Sequence, residues 1–139
     1  MTVLSHTHPL VIALEAQLLP LFQQALPRLN AAAPNVLASV FAFSTGSDSA
    51  FLRYHFGISC LLDDVPDDQP EEVALLVSAA GLDGAVRLEA SVAWGQPSGL
   101  REAHADLPEA SLAALAEALP GLLAALRQAL ERGRPACAV

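Results

Sequence analysis

The sequence predicts an α+β domain, an antiparallel sheet covered on one face by helical regions from the two ends of the chain. Two alternating segments carry most of that expectation. From Phe51 to Leu62 the even positions are Leu52, Tyr54, Phe56, Ile58, Cys60 and Leu62, with Arg53, His55, Gly57 and Ser59 between them. From Val86 to Trp94, the residues Val86, Leu88, Ala90, Val92 and Trp94 alternate with Arg87, Glu89, Ser91 and Ala93. Successive strand side chains point to opposite faces, so each segment reads as a strand with one buried face and one open face. The third observation is leucine at helical spacing near both termini, the mark of helices with one buried stripe.

The first helix is expected to open at Pro9, where a missing N–H costs nothing, behind Thr7 or His8 as cap. Leu14, Leu18, Phe22 and Leu26 line one face, and Pro20 inside the run predicts a kink. After Pro27 a short connection, Asn30 to Pro34, leads into a strand from Val36 to Ser44. That strand is apolar on both sides, Leu37, Phe41 and Phe43 against Val36, Val40 and Ala42, and is expected to be paired or covered on both. The segment TGSDS from Thr45 to Ser49 has the residues of a hairpin loop into the Phe51 strand.

Asp63 to Glu72 holds six acidic residues and two prolines and reads as a solvated loop outside the core. Val73 to Ala80 has two readings. As a strand it pairs with Val86 to Trp94 across Gly81-Leu82-Asp83-Gly84; as a helix it uses Asp68 or Gln69 as cap and Gly81 as terminator. The strand is preferred, because a half-polar strand from Val86 needs a neighbour, and the result is a four-stranded meander.

Gly95 to Ala105 reads as a connection. Asp106, Pro108 and Glu109 have the spacing of a capping box for the last helix. Its stripe is Leu112, Leu115, Leu119, Leu122, Leu123, Leu126 and Leu130; Pro120-Gly121 is expected to split it, and Gly133 and Pro135 to end it. The whole chain, 1–139, thus forms one domain with loose ends at about 1–7 and 134–139.

The charge balance narrows the partners. Seven arginines, no lysine and fifteen acidic residues leave a formal charge of -8, which repels phosphate backbones and argues against nucleic acid. Leu10 to Leu26 is broken by Glu15, Gln17, Pro20, Gln23 and Gln24, so it reads as neither signal peptide nor membrane span. Cys60 and Cys137 lack the dense spacing of a disulfide framework, which points to the cytoplasm. The hydrophobic share of 53% lies slightly above the usual range and leaves room for apolar surface beyond a monomer's core, so a homodimer is expected.

Two clusters are candidate sites. On the open sheet face stand Arg53, His55, Ser59, Arg87, Glu89 and Ser91: arginines able to grip carboxylates, and a histidine able to change charge near neutral pH. Arg53 and Glu89 belong to strands that are not neighbours in a meander, which limits their joint action. The second cluster is the loop from Trp94 to His104, where Trp94 offers a stacking surface, glycines permit close approach, and Ser98, Arg101 and His104 supply polar groups. Its spacing is not that of a nucleophile elbow.

His6 and His8 lack a third metal ligand, and the loop of Asp63, Asp64, Asp67 and Asp68 lacks the glycine and terminal glutamate of an EF-hand. No metal, cofactor or catalytic residue is therefore assigned. Cys60, on the apolar face, is expected to be an inert core thiol.

Small acidic proteins of similar helix-sheet-helix layout include bacterial secretion chaperones and toxin-neutralising immunity proteins; the likeness is one of layout alone. The expectation is an acidic cytoplasmic interaction module that binds another protein or itself. Its rival is a small-molecule binder or small enzyme with its site between the open face and the Trp94 to His104 loop.

Overall fold

The computed structural model describes residues 9–33, 35–45, 51–63, 65–66, 68–82, 85–95, 99–107 and 111–133. Helix α1 (Pro9–Asn30) is followed by strands β1 (Val36–Thr45), β2 (Phe51–Leu62), β3 (Glu72–Leu82), β4 (Ala85–Trp94) and β5 (Arg101–Leu107), and then by helix α2 (Leu112–Arg132). The strands form one antiparallel meander in the order β1-β2-β3-β4-β5. The α+β class with a helix from each end of the chain is therefore the architecture, and Val73 to Ala80 is strand.

The sheet has five strands, one more than the alternation predicts. Half of the expected connection from Gly95 to Ala105 is β5, which pairs with β4 from Leu88↔Leu107 to Ala93↔Arg101. Ala103 and Ala105 pack partly buried against the core while His104 and Asp106 face outwards. That is strand alternation with alanine in the apolar places, and alanine marks a buried face only weakly.

Both helices lie on the face formed by the even positions of β2. Val11, Leu14, Leu18, Phe22 and Leu29 of α1 and Leu115, Leu119, Leu122, Leu126 and Leu130 of α2 close over Tyr54, Phe56, Ile58 and Cys60 and their neighbours on β3 and β4. Phe22 stacks on Phe56 with ring centroids 5.4 Å apart. By length and composition α2 is apolar enough to cross a membrane, and in this fold its leucine stripe is core.

Other expectations are corrected. Helix α2 is continuous through Pro120-Gly121. Ala116, whose carbonyl loses its partner to Pro120, is exposed, as are Pro120 and Gly121, so water reaches the break while Leu119 and Leu122 hold the helix on the sheet. The cap of α2 is Ser111, whose Oγ accepts from the N–H of Ala114 at 3.1 Å; Asp106, placed in a capping box, belongs to β5. Helix α1 likewise contains Pro20 and Pro27. In the acidic loop Pro70 is buried and Val65 packs on the core, so the loop is not wholly solvated. Thr7, His8, Gly46 to Ser49, Asp83, Gly84, Pro108, Glu109 and Pro135 lie outside the described residues, as do the two loose ends.

Strand β1 departs furthest from expectation. It pairs with β2 alone and forms one edge of the sheet, with Leu37 and Phe43 exposed. A strand with apolar residues on both faces thus has one long side and part of one face open.

Candidate functional site

The face of the sheet turned away from the helices is divided in two. On the β1 and β2 side lie Leu37, Phe41, Phe43 and Leu61, with Leu76 of β3 beside them; Leu37 and Leu61 are directly opposite each other and are 63% and 45% exposed. On the β4 and β5 side lie Arg87, Glu89, His104 and Asp106.

The charged half is internally matched. Glu89 and Asp106 stand directly opposite each other, an arrangement of like charges that destabilises a strand pair. Each is answered diagonally: an Arg87 Nη lies 3.1 Å from Asp106, and His104 Nε2 lies 3.5 Å from Glu89. Arg87, Glu89 and Asp106 are about half exposed or more, so each pair contributes at most about 1 kcal/mol.

The predicted face residues do not all fall where expected. His55 is 8% exposed, not open to solvent. Its ring stacks on Phe43 with centroids 4.5 Å apart, and its Nδ1 is 2.7 Å from Ser78 Oγ. The cover comes from the cross-strand partners, because Phe43 pairs with His55 and Ser78 lies on its other side. His55 is thus the floor of the apolar half. Ser59 donates its hydroxyl proton to the carboxylate of Glu72 and is half-buried. Ser91 sits between Leu76 and His104 in the register, also half-buried. Arg53 is opposite Ala80, which is in turn opposite Arg87, so β3 separates the two arginine positions by roughly 10 Å at ordinary strand spacing. Arg53 and Glu89 are likewise on strands that do not touch.

The loop cluster separates onto two faces. Trp94 is 2% exposed in the core beneath the sheet, donating its indole N–H to Glu102 at 2.9 Å, and so presents no stacking surface. A β-bulge between Val92 and Ala93 shifts the β4–β5 register, and Glu102 joins both Trp94 and Arg132 of α2. His104 lies on the opposite face, Arg101 is exposed at the start of β5, and Ser98 lies outside the described residues. Gly95 and Gly99 close a tight turn, with the N–H of Gly99 bonded to the carbonyl of Gly95 at 3.1 Å and φ of +60° at Gly99. The segment is a hairpin connection between β4 and β5.

Cys60 lies in the core with its thiol pushed up to about 12 by burial and, secondly, by the Glu72 carboxylate. A thiol held protonated is a poor nucleophile. Among the described residues no three His, Cys, Asp or Glu side chains are grouped to hold a metal. His6, His8, Asp64 and Asp67 lie outside those residues. On the helix layer, a groove of about 410 Å³ between α1 and α2 is lined by Leu21, Ala25, Pro120 and Leu123, with Arg28 and Arg127 among its polar residues.

Sequence reasoning did not find the partners of the buried and half-buried polar groups: Tyr54 with Glu15, Ser59 with Glu72, Trp94 with Glu102. A buried tyrosine or tryptophan requires a partner for its polar atom, which is the one signal the sequence carried. The exposed Leu37, Phe43 and Leu61 were visible only as apolar residues at odd positions of two strands. No family model, curated protein or solved structure matches the chain.

Proposed function

We propose that this protein is an acidic, cytoplasmic interaction module, adaptor-, chaperone- or immunity-like in role, that binds another protein on the open face of its sheet. The observation that carries the reading is the set of exposed apolar residues on β1 and β2, Leu37 with Leu61 at one end and Phe43 at the other with the Ser39 and Ser59 pair between them, beside a charged half built from β4 and β5. Exposed large apolar residues flanked by polar and charged groups are the usual make-up of a protein-binding surface. The charge of -8 disfavours nucleic acid as the partner. The buried free thiol of Cys60 is compatible with a reducing compartment.

The test is affinity purification of the tagged full chain from its host, with Leu61→Glu and Arg87→Glu as paired variants. Both residues are exposed, so the variants are expected to keep the circular dichroism of the parent. A stoichiometric protein that is lost with Leu61→Glu and weakened with Arg87→Glu supports the open face. A partner retained equally by both variants, or no partner at all, overturns the reading.

A further inference from the structure

We infer that β1 is the seam of a two-fold dimer, pairing antiparallel with β1 of a second copy so that two sheets become one. The inference concerns the sheet edge and stands whether or not the open face binds another protein.

The backbone of β1 points in two directions. Asn35, an odd residue, accepts from the N–H of Asp63 next to the β1–β2 pair, so the odd residues of β1 bond to β2 and the even residues turn their N–H and C=O off the sheet. The first such N–H in the body of the strand, on Ala38, is taken by Asn30 Oδ1 at 2.9 Å. From Val40 onward, Val40 and Ala42 have no hydrogen-bond partner on that side among the described residues. The edge that remains is the stretch Val40, Ala42, Ser44.

That stretch lacks two of the usual guards against pairing, charge and proline. The strand VLASVFAFST holds no charge and no proline, whereas the opposite edge, REAHADL, carries Arg101, Glu102, His104 and Asp106. Two copies, each of charge -8, meet with least repulsion along an uncharged edge. This electrostatic argument and the self-matching register favour a second copy over a different protein.

The free stretch is centred on Ala42. A two-fold axis there pairs Ala42 with Ala42 and Val40 with Ser44 through the outward N–H and C=O groups. The same register sets Phe41 of each copy opposite Phe43 of the other in a non-hydrogen-bonded pair, where cross-strand side chains come closest. Phe41 and Phe43 already stack on each other with centroids 5.7 Å apart, so the seam gathers both rings from both copies on the open face. Three residue pairs and their rings form a small interface, below the area of a permanent dimer, which implies association that depends on concentration.

Sedimentation velocity of the full chain across a concentration series reads this directly. The expected result is a monomer–dimer equilibrium that Ala42→Pro weakens at least tenfold. Because the Ala42 N–H faces away from β2, proline there removes an edge donor without breaking the β1–β2 ladder. An independent reading comes from Ala42→Cys in a Cys137→Ser background. The facing Cα atoms of a hydrogen-bonded pair are roughly 5.5 Å apart, within disulfide range, so oxidation is expected to link the dimer covalently. Arg101→Cys in the same background, on the opposite edge, is expected to stay monomeric on denaturing gels. If Ala42→Pro loses its circular dichroism, the crosslinking pair decides. A chain that stays monomeric throughout, a dimer that neither Ala42→Pro nor crosslinking locates at Ala42, or a monomer that takes up only an extended peptide of another protein on this edge overturns the inference.

Discussion

The ring of Phe41 lies across Gly57, its partner on the neighbouring strand. A Cβ at position 57 would stand 2.1 Å from the Leu75 carbonyl oxygen and 2.9 Å from Phe41 Cζ, both closer than real contacts allow. The ring occupies the space that a side chain on β2 would fill, and glycine is what permits it. Gly57→Ala is therefore expected to destabilise the fold by about 1–3 kcal/mol, as overpacking does. Urea denaturation measures this. Adding Phe41→Leu should recover only part of the loss, because the Leu75 carbonyl is backbone and cannot turn away. A cost below about 0.5 kcal/mol would show that the strands part easily here.

Glu102 gives a second test. Its carboxylate accepts from the indole N–H of the buried Trp94 and also meets Arg132, whose side chain is 61% exposed. The two contacts differ in kind. Glu102→Ala strands a buried donor and is expected to cost about 1–3 kcal/mol. Glu102→Gln keeps an acceptor and loses only the ion pair with the exposed Arg132, expected to cost less than about 1 kcal/mol. Trp94 is the chain's single tryptophan, so its fluorescence follows unfolding in both variants. Equal losses in the two would shift the weight from the indole bond to the ion pair.

Where the alternation was strong, the fold was legible. In β2 and β4 apolar residues hold every even position, and from Arg53 to Ser59 and from Arg87 to Ala93 polar or small ones hold the positions between, so strand, face and neighbour all followed. In β3, Leu75 and Leu76 are adjacent, so periodicity alone left helix and strand in competition; pairing on both edges makes it strand. β5 was missed because Ala103 and Ala105 hold its apolar places. The site was legible only in part. His55 looked like an open-face residue on its own strand, and its burial comes from Phe43 on the next one. Such cover depends on register across strands and leaves no local pattern. The same holds for Phe41 over Gly57.

The start of α2 separates a cap that the structure holds from one that the sequence suggested. Ser111 Oγ accepts from the Ala114 N–H, satisfying one of the open donors of the first turn. Ser111→Ala is expected to cost about 0.5–2 kcal/mol. Asp106→Ala removes only an exposed pair with Arg87 and is expected to cost less than about 1 kcal/mol. Thermal denaturation of the two variants side by side reads the difference, and the opposite order would restore Asp106 to the cap.

Cys60 makes stability depend on pH in the alkaline range. Its thiol, ordinarily near 9.0, is pushed up to about 12 by burial and by Glu72, so between these values the unfolded chain releases a proton that the folded chain keeps. Stability from this group is present in full below pH 9 and is lost as pH rises towards 12. The chain has no lysine, so few other groups titrate in that window. Urea midpoints of the parent are expected to fall between pH 9 and 11 more steeply than those of Cys60→Ala, which lacks the group, even though the variant starts lower for its lost core contacts. In a Cys137→Ser background, a thiol reagent at pH 8 is expected to leave Cys60 unlabelled until urea unfolds the chain. Parallel pH slopes in parent and variant, or rapid labelling of the native protein, would mean that the core opens to water at β2.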